Sequence, residues 1–137
     1  MAIQFGTALR NARLDVIEST IGTAPLLYIY DLTAGAPANC GAAITAGTLA
    51  SMTLPSDWMA AASGGSKALS GTWTDGTADA AGTADFFRIY EWTGGTCFIQ
   101  GTVTATGGGG DLTLDNAVIA ASQVITITTF TVTDGNA

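Results

Sequence analysis

The chain has 137 residues, of which 47% are hydrophobic but only 11% charged, with a formal net charge of -7. That length suits a single domain over 1–137 that buries roughly two-thirds of its unfolded surface and needs no metal or disulfide to fold. Four cations, Arg10, Arg13, Lys67 and Arg88, stand against eleven carboxylates, with no histidine; this excludes the basic stripe that direct nucleic-acid binding requires, argues against an anionic membrane surface, and removes Ser–His and Cys–His nucleophile pairs.

The stretch Thr7 to Gly22, TALRNARLDVIESTIG, reads as the one clear helix. Thr7 is expected as its N-cap and Gly22 as the glycine that ends it. Leu9, Ala12 and Val16, and Leu14, Ile17 and Ile21, recur at helical spacings. Such broad apolar coverage calls for burial on more than one side. Arg10 and Arg13 come early and Asp15 and Glu18 late, the reverse of the order favoured by the helix dipole, at a cost of roughly a few tenths of a kcal/mol per exposed charge. One explanation is that the arginines meet acidic groups on a neighbouring chain; another is a plain solvated face. On the first, the candidate interface residues are Leu9, Arg10, Arg13, Val16 and Ile17. On a rival reading the helix closes one end of a β-sandwich.

Everything downstream reads as short strands and turns. LLYIYDL (Leu26 to Leu32) is a dense strand, followed by the loop TAGAPANCGAAITAG. TLASMTL alternates until Pro55, and Ser56 to Ala61 is expected as a short helical turn capped by Ser56. SGGSK is a turn, ALSGTWT a strand and DGTADAAGTAD an acidic loop. FFRIYEW (Phe86 to Trp92) and CFIQGTVTAT flank a hairpin loop at Thr93 to Thr96. Gly107 to Gly110 form a flexible turn before DLTLDN. QVITITTFTVT has period two, with Val124, Thr126, Thr128, Phe130 and Val132 on one face and Ile125 and Ile127 on the other. With no βαβ alternation, the expected fold is mainly β: an antiparallel, jelly-roll-like β-sandwich of roughly seven or eight strands with one N-terminal helix at about 7–22.

Cys40 and Cys97 fit no zinc spacing and are expected as free thiols in a reducing compartment, although a disulfide stays open. The opening MAIQFGTALR does not read as a signal peptide, and no apolar run is long enough to span a bilayer. Asp57, Asp75, Asp79, Asp85 and Glu91 are the carboxylate stock for glycoside hydrolysis, with Trp58 and Trp92 beside Asp57 and Glu91. Asp75 to Asp79 (DGTAD) and Asp111 to Asp115 (DLTLD) resemble oxygen-ligand stretches for calcium but lack the acidic density of an EF-hand loop. The simpler account of DLTLD is a strand with leucines inward and polar groups outward. The tetraglycine has no following Lys-Ser/Thr or helix start, so it is no phosphate loop. The expectation is a non-enzymatic protein with no catalytic, cofactor-binding or metal-binding residues.

The blocks MAIQFGTALRNARLDVIESTIG, PLLYIY, APANC, LPSDWMAAASGG and LSGTWTDGTADAAGTADFFRIY, with the closing Thr-rich strand, resemble in their order small proteins encoded among the structural genes of tailed bacteriophages. The resemblance covers essentially the whole chain and rests on block order, not on a catalytic signature. It implies a capsid decoration protein, also called a cement or head-stabilising protein. Such a protein would have a β-sandwich or jelly-roll fold and would bind the major capsid protein on the outer surface of the virion. It would be made in the host bacterial cytoplasm and act as a small homo-oligomer, with a dimer the commonest symmetric choice and a trimer possible. The resemblance transfers no site residues. Other readings are a tail or head–tail component, or a carbohydrate-binding module on the virion using Trp58, Trp73 or Trp92 as stacking platforms.

Overall fold

A computed structural model of the chain describes residues 1–135. Helix α1 (Thr7–Ile21) precedes nine strands: β1 (Leu26–Asp31), β2 (Thr48–Thr53), β3 (Ser66–Ala68), β4 (Thr74–Asp75), β5 (Gly82–Tyr90), β6 (Cys97–Ala105), β7 (Leu112–Leu114), β8 (Val118–Ile119) and β9 (Ile125–Thr133). The protein is therefore mainly β with one N-terminal helix. The strands make one curled sheet in the order β2-β1-β5-β6-β7-β9-β3, with β4 on β9 and β8 on β5.

The sheet is mixed rather than wholly antiparallel, because β7 runs parallel to β6. The tetraglycine explains this. Gly108 donates to the Ala105 carbonyl and Gly110 to the Thr104 hydroxyl, so the chain doubles back along β6 until Asp111 meets Thr102. Only then does Leu112 pair with Val103 and run forward again. A Cβ at Gly110 would lie 2.9 Å from the Thr104 backbone nitrogen, so a side chain there would push the return path off the strand.

The core is a file of aromatic rings with aliphatic residues around it. Trp58 packs on Trp73, Trp73 on Phe130, and Phe130 edge-on to Phe87, at centroid distances of 5.9, 5.3 and 5.7 Å. Leu27, Ile29, Leu49, Ile89, Leu112 and Ile125 complete it, each almost wholly buried. The face assignment expected for the last strand does not hold. Thr113 pairs with Thr129 but Leu114 with Ile127, so Thr128 is an extra residue in β9. This bulge switches the inward phase, and Ile125, Ile127 and Phe130 all point into the core while Val124 is exposed.

Three further expectations are corrected. Ser56 to Ala61 is not helical: after a bend at Ser56 and Asp57, Trp58 accepts from the Ser70 N–H, Ala60 donates to the Ala68 carbonyl, and Met59 bridges to Leu69. ALSGTWT is split between β3 and β4, with Gly71 at φ +70° between them. Thr113 does not face solvent; it is buried, and its hydroxyl meets those of Thr128 and Thr129 at 2.6 and 2.7 Å. A polar residue is tolerated there because these hydroxyls satisfy one another.

The cysteines are not free thiols. Cys40 and Cys97 form a disulfide with a Cα–Cα distance of 5.4 Å. β1 and β6 both flank β5, with Leu26 and Cys97 each opposite Tyr90. The loop after β1 leaves from Asp31, level with Ala84 at the other end of the sheet, so it returns along the strands before Cys40 reaches Cys97, across 57 residues of sequence.

Candidate functional site

Helix α1 lies on one side of the sheet beside β3, and its two long faces differ. The N-cap is Gly6, not Thr7, and no side chain caps the helix there. Gly22 ends the helix with a positive φ, its N–H bonded to the Glu18 carbonyl. Of the apolar positions, Leu14 and Ile21 are buried, Ile17 is half-buried, and Leu9 and Val16 are about half exposed.

The inner face is held largely by polar bonds. Asn11, Asp15 and Glu18 accept the backbone N–H groups of Gly65, Ala62 and Met59 at 2.8, 2.9 and 3.2 Å. The helix thus acts as a ladder of acceptors against a segment that runs antiparallel to it. These bonds supply the segment's N–H groups with acceptors that it lacks within itself, so it needs no helix of its own. Lys67 rises from β3 into the same row. Its Nζ sits 2.8 Å from Asp15 Oδ1, 3.3 Å from Glu18 Oε2 and 2.9 Å from the Ala60 carbonyl. Burial by itself pulls the Lys67 ammonium down, but the hydrogen bonds and charges of Asp15 and Glu18 outweigh it, and its pKa stands above the ordinary value. Asp15 is lowered, chiefly by its bond to Lys67 and then by the Ala62 N–H.

The charge order along α1 now has a local account. The late carboxylates hold Lys67 and the 59–65 segment. The early arginines hold the end of β9: Arg10 Nε donates to the Asp134 carbonyl at 2.6 Å, and Arg13 Nη1 lies 3.2 Å from the Asp134 carboxylate. The Arg13 guanidinium also lies over the Phe5 ring, 4.9 Å from its centroid. These contacts within the chain explain the order without a neighbour.

The outer face sets apolar side chains around one cation. Leu9, Arg13 and Val16 follow one another at i, i+4 and i+7 on one side of the helix. Arg13, Val16, Ile17 and Ile21 line a groove of about 360 Å³ whose opposite wall is Phe98, Ile99 and Val132. The candidate residues Arg13, Val16 and Ile17 therefore meet in one groove. Leu9 lies outside its lining, and Arg10 points instead to the end of β9.

A second cluster covers the other face of β1, β5 and β6. Arg88 is buried, and its guanidinium donates to Gln100 Oε1 at 2.8 Å and to the carbonyls of Asn39 and Ala42 at 2.9 Å each. Gln100 donates in turn to the Pro37 carbonyl at 2.7 Å. Together with the disulfide, these bonds fasten the loop after β1 over Tyr30 and Phe86, which stack at 4.8 Å. Burial, and then the Tyr90 hydroxyl, push the Tyr30 phenol up. Arginine suits this clamp because its fork reaches several carbonyls at once.

Four of the sequence-predicted carboxylates and two of the tryptophans have structural occupations. Asp75 accepts from the N–H groups of Ser51 and Thr77, and Asp79 from the Ser51 hydroxyl. Asp111 accepts from the Thr102 N–H and hydroxyl, which lower its pKa, and Asp115 accepts from the Asn116 N–H. Trp58 and Trp73 are core residues, their indole N–H groups bonded to the carbonyls of Gly22 and Ser70, whereas Trp92 is 69% exposed. Sequence reasoning missed Lys67 and Arg88. Nothing local marks a buried cation, although Asn11, Asp15 and Glu18 at i, i+4 and i+7 are a legible polar stripe. In comparisons with known proteins, no family model, curated protein or solved structure matches this chain.

Proposed function

We propose that this chain is a capsid decoration protein of a tailed bacteriophage, binding the outer shell as a small oligomer without catalytic chemistry. The ordered blocks of sequence described above suggest the class. The observation that carries the reading structurally is the apolar surface around α1. Val16 and Phe98, which line the groove, are 57 and 40% exposed, on a body tied together by buried polar clamps and a disulfide. Exposed apolar residues gathered beside a groove are the mark of a protein-binding surface. A unit that bridges adjacent capsid subunits gains strength from engaging them together. The test is copy number in purified particles, by quantitative mass spectrometry against the major capsid protein. A simple lattice ratio supports the reading. A handful of copies points to a tail or head–tail part, and absence from the particle ends it.

One observation favours a second reading. Trp92, exposed beside Glu91 at the turn between β5 and β6, has the form of a carbohydrate-stacking residue. With Trp58 and Trp73 in the core, a glycan-binding module would rest on Trp92. Glycan-array binding abolished by Trp92→Ala is its test.

A further inference from the structure

Both roots of the loop after β1 stand at one end of the sheet, since Asp31 lies opposite Ala84 and Thr48 opposite Tyr30. Its middle is pinned at the other end, where Cys40 is bonded to Cys97, the residue opposite Tyr90. From Ala84 to Tyr90 an extended strand advances about 20 Å, which separates the roots from the pin. Residues 32–47 therefore form a strap laid along the outer face of β1, β5 and β6. The strap has no helix or strand, and none of its residues is buried; Leu32 is 58% exposed and Ile44 half-buried. What holds it down is polar and covalent. The Pro37 carbonyl accepts from Gln100, the Asn39 and Ala42 carbonyls accept from Arg88, and the disulfide fixes its tip. The side chains beneath are a different matter. Tyr30, Phe86 and Arg88 are 5, 0 and 3% exposed. Ile29 and Phe87 belong to the main core, but their neighbours Tyr30 and Phe86 do not, because successive strand residues face opposite sides of the sheet. The burial of this outer face depends on the strap.

We propose that residues 32–47 are a redox-latched strap: the disulfide locks it over Tyr30 and Phe86, and reduction lets it swing out from its roots while the sheet stays folded. The chemistry is thiol–disulfide exchange with a dithiol reductant. One thiolate of the reductant attacks a sulfur of the Cys40–Cys97 bond, forms a mixed disulfide and releases the other cysteine as a thiolate. The second thiolate of the reductant then displaces the remaining cysteine. Two electrons pass to the cysteine pair, whose thiolates take up the protons that the reductant gave up, and the reductant leaves as its own disulfide. Neither cysteine is fully buried, which leaves the bond open to attack. The response is local for two reasons. The pin ties the tip of the strap and not its roots, so cutting it frees the end farthest from the hinge. The sheet beneath keeps its own pairing of β1 with β5 and β5 with β6, and the main core lies on its other face. Segments with few buried apolar contacts are the first to open in a folded protein. The carbonyl bonds that remain are exchanged for bonds to water when the strap lifts, so each holds it only weakly. Opening uncovers the stacked Tyr30–Phe86 pair and frees the Arg88 fork from two carbonyls. A reducing compartment leaves this aromatic face accessible, and an oxidising one seals it.

The experiment is hydroxyl-radical footprinting of the purified full chain, read by peptide mass spectrometry. It compares the oxidised wild type, the wild type reduced with dithiothreitol, and the Cys40→Ser/Cys97→Ser variant. Thiol alkylation without denaturant checks that the bond has opened, and far-UV circular dichroism follows the sheet. In the oxidised protein Tyr30 and Phe86 should be protected. In both forms without the disulfide their labelling should rise by on the order of 10-fold, while Ile29 and Phe87 on the core face stay protected. Reoxidation should restore the protection of Tyr30 and Phe86. Four results would overturn the latch. Tyr30 and Phe86 could stay protected without the disulfide, so that the carbonyl bonds alone hold the strap. Both faces could become labelled together, or the sheet signal could be lost, so that the disulfide guards the whole fold. The bond could resist dithiothreitol until the chain is denatured. The strap could fail to close again on reoxidation. Particle copy number is independent of all of these, so the decoration reading stands or falls separately.

Discussion

Lys67 Nζ lies 2.8 Å from Asp15 Oδ1, joining a strand to a helix across 52 residues of sequence. The lysine is 2% exposed, so removing its ammonium leaves the Ala60 carbonyl without this donor and two carboxylates without their cation. Lys67→Ala should cost about 2–3 kcal/mol in urea unfolding. Lys67→Met keeps the stem and should cost about 1 kcal/mol. No loss in Lys67→Met would mean that the ammonium contributes nothing beyond the packing of its stem, and equal losses in the two variants would assign the whole effect to the ammonium.

Lys67 and three carboxylates in different parts of the fold set a pH window. Asp15, Asp31 and Asp111 all have folded pKa values below the ordinary 3.8, through Lys67, the Thr33 hydroxyl and the Thr102 N–H respectively. Their contribution is therefore complete above that value and lost as pH falls through the folded pKa values. Lys67 is raised above the ordinary 10.5, so its contribution is complete below that pH and lost as pH rises through the higher folded value. Melting temperature should be flat between these limits as far as these groups decide it, and fall outside them. Asp15→Asn should shallow the acid limb in a series of thermal melts. An unchanged acid limb would assign it to other carboxylates.

Breaking the disulfide with Cys40→Ser and Cys97→Ser should destabilise the protein by about 2–4 kcal/mol, because the closed loop is long. The loop after β1 should also become the first site of proteolysis, although Arg88 and Gln100 still hold it. An unchanged denaturation midpoint would show that those polar clamps suffice.

Gly64 and Gly65 separate conformation from contact. Both have positive φ, +63° and +82°, but a Cβ at Gly64 meets open space, whereas one at Gly65 would overlap the Arg10 guanidinium. Gly64→Ala should cost about 1 kcal/mol from backbone strain alone. Gly65→Ala should cost about 2–3 kcal/mol, because it also displaces Arg10 from Asp134. Chemical denaturation of the two variants compares them directly.

Much of the local structure was legible in the sequence. The helix, its end at Gly22, the strand at Leu26, the β5–β6 hairpin and the mainly β class follow from periodicity and turn residues, which act over a few positions. The bulge at Thr128 was not legible, because the threonine run has one period whichever residue is skipped. The parallel β7 was hidden too, since a tetraglycine permits many return paths and only the surface of β6 selects one.

What the sequence by itself determined is therefore the kind of element at each place and the chain's low, acidic charge. The tertiary structure alone decided the partners: Cys40 with Cys97, Arg88 with a distant loop, Asp15 with Lys67, and the early arginines of α1 with Asp134. The physical reason is that element type comes from short-range backbone preference, whereas a buried charge or thiol takes its meaning from groups that only the folded chain brings within bonding distance.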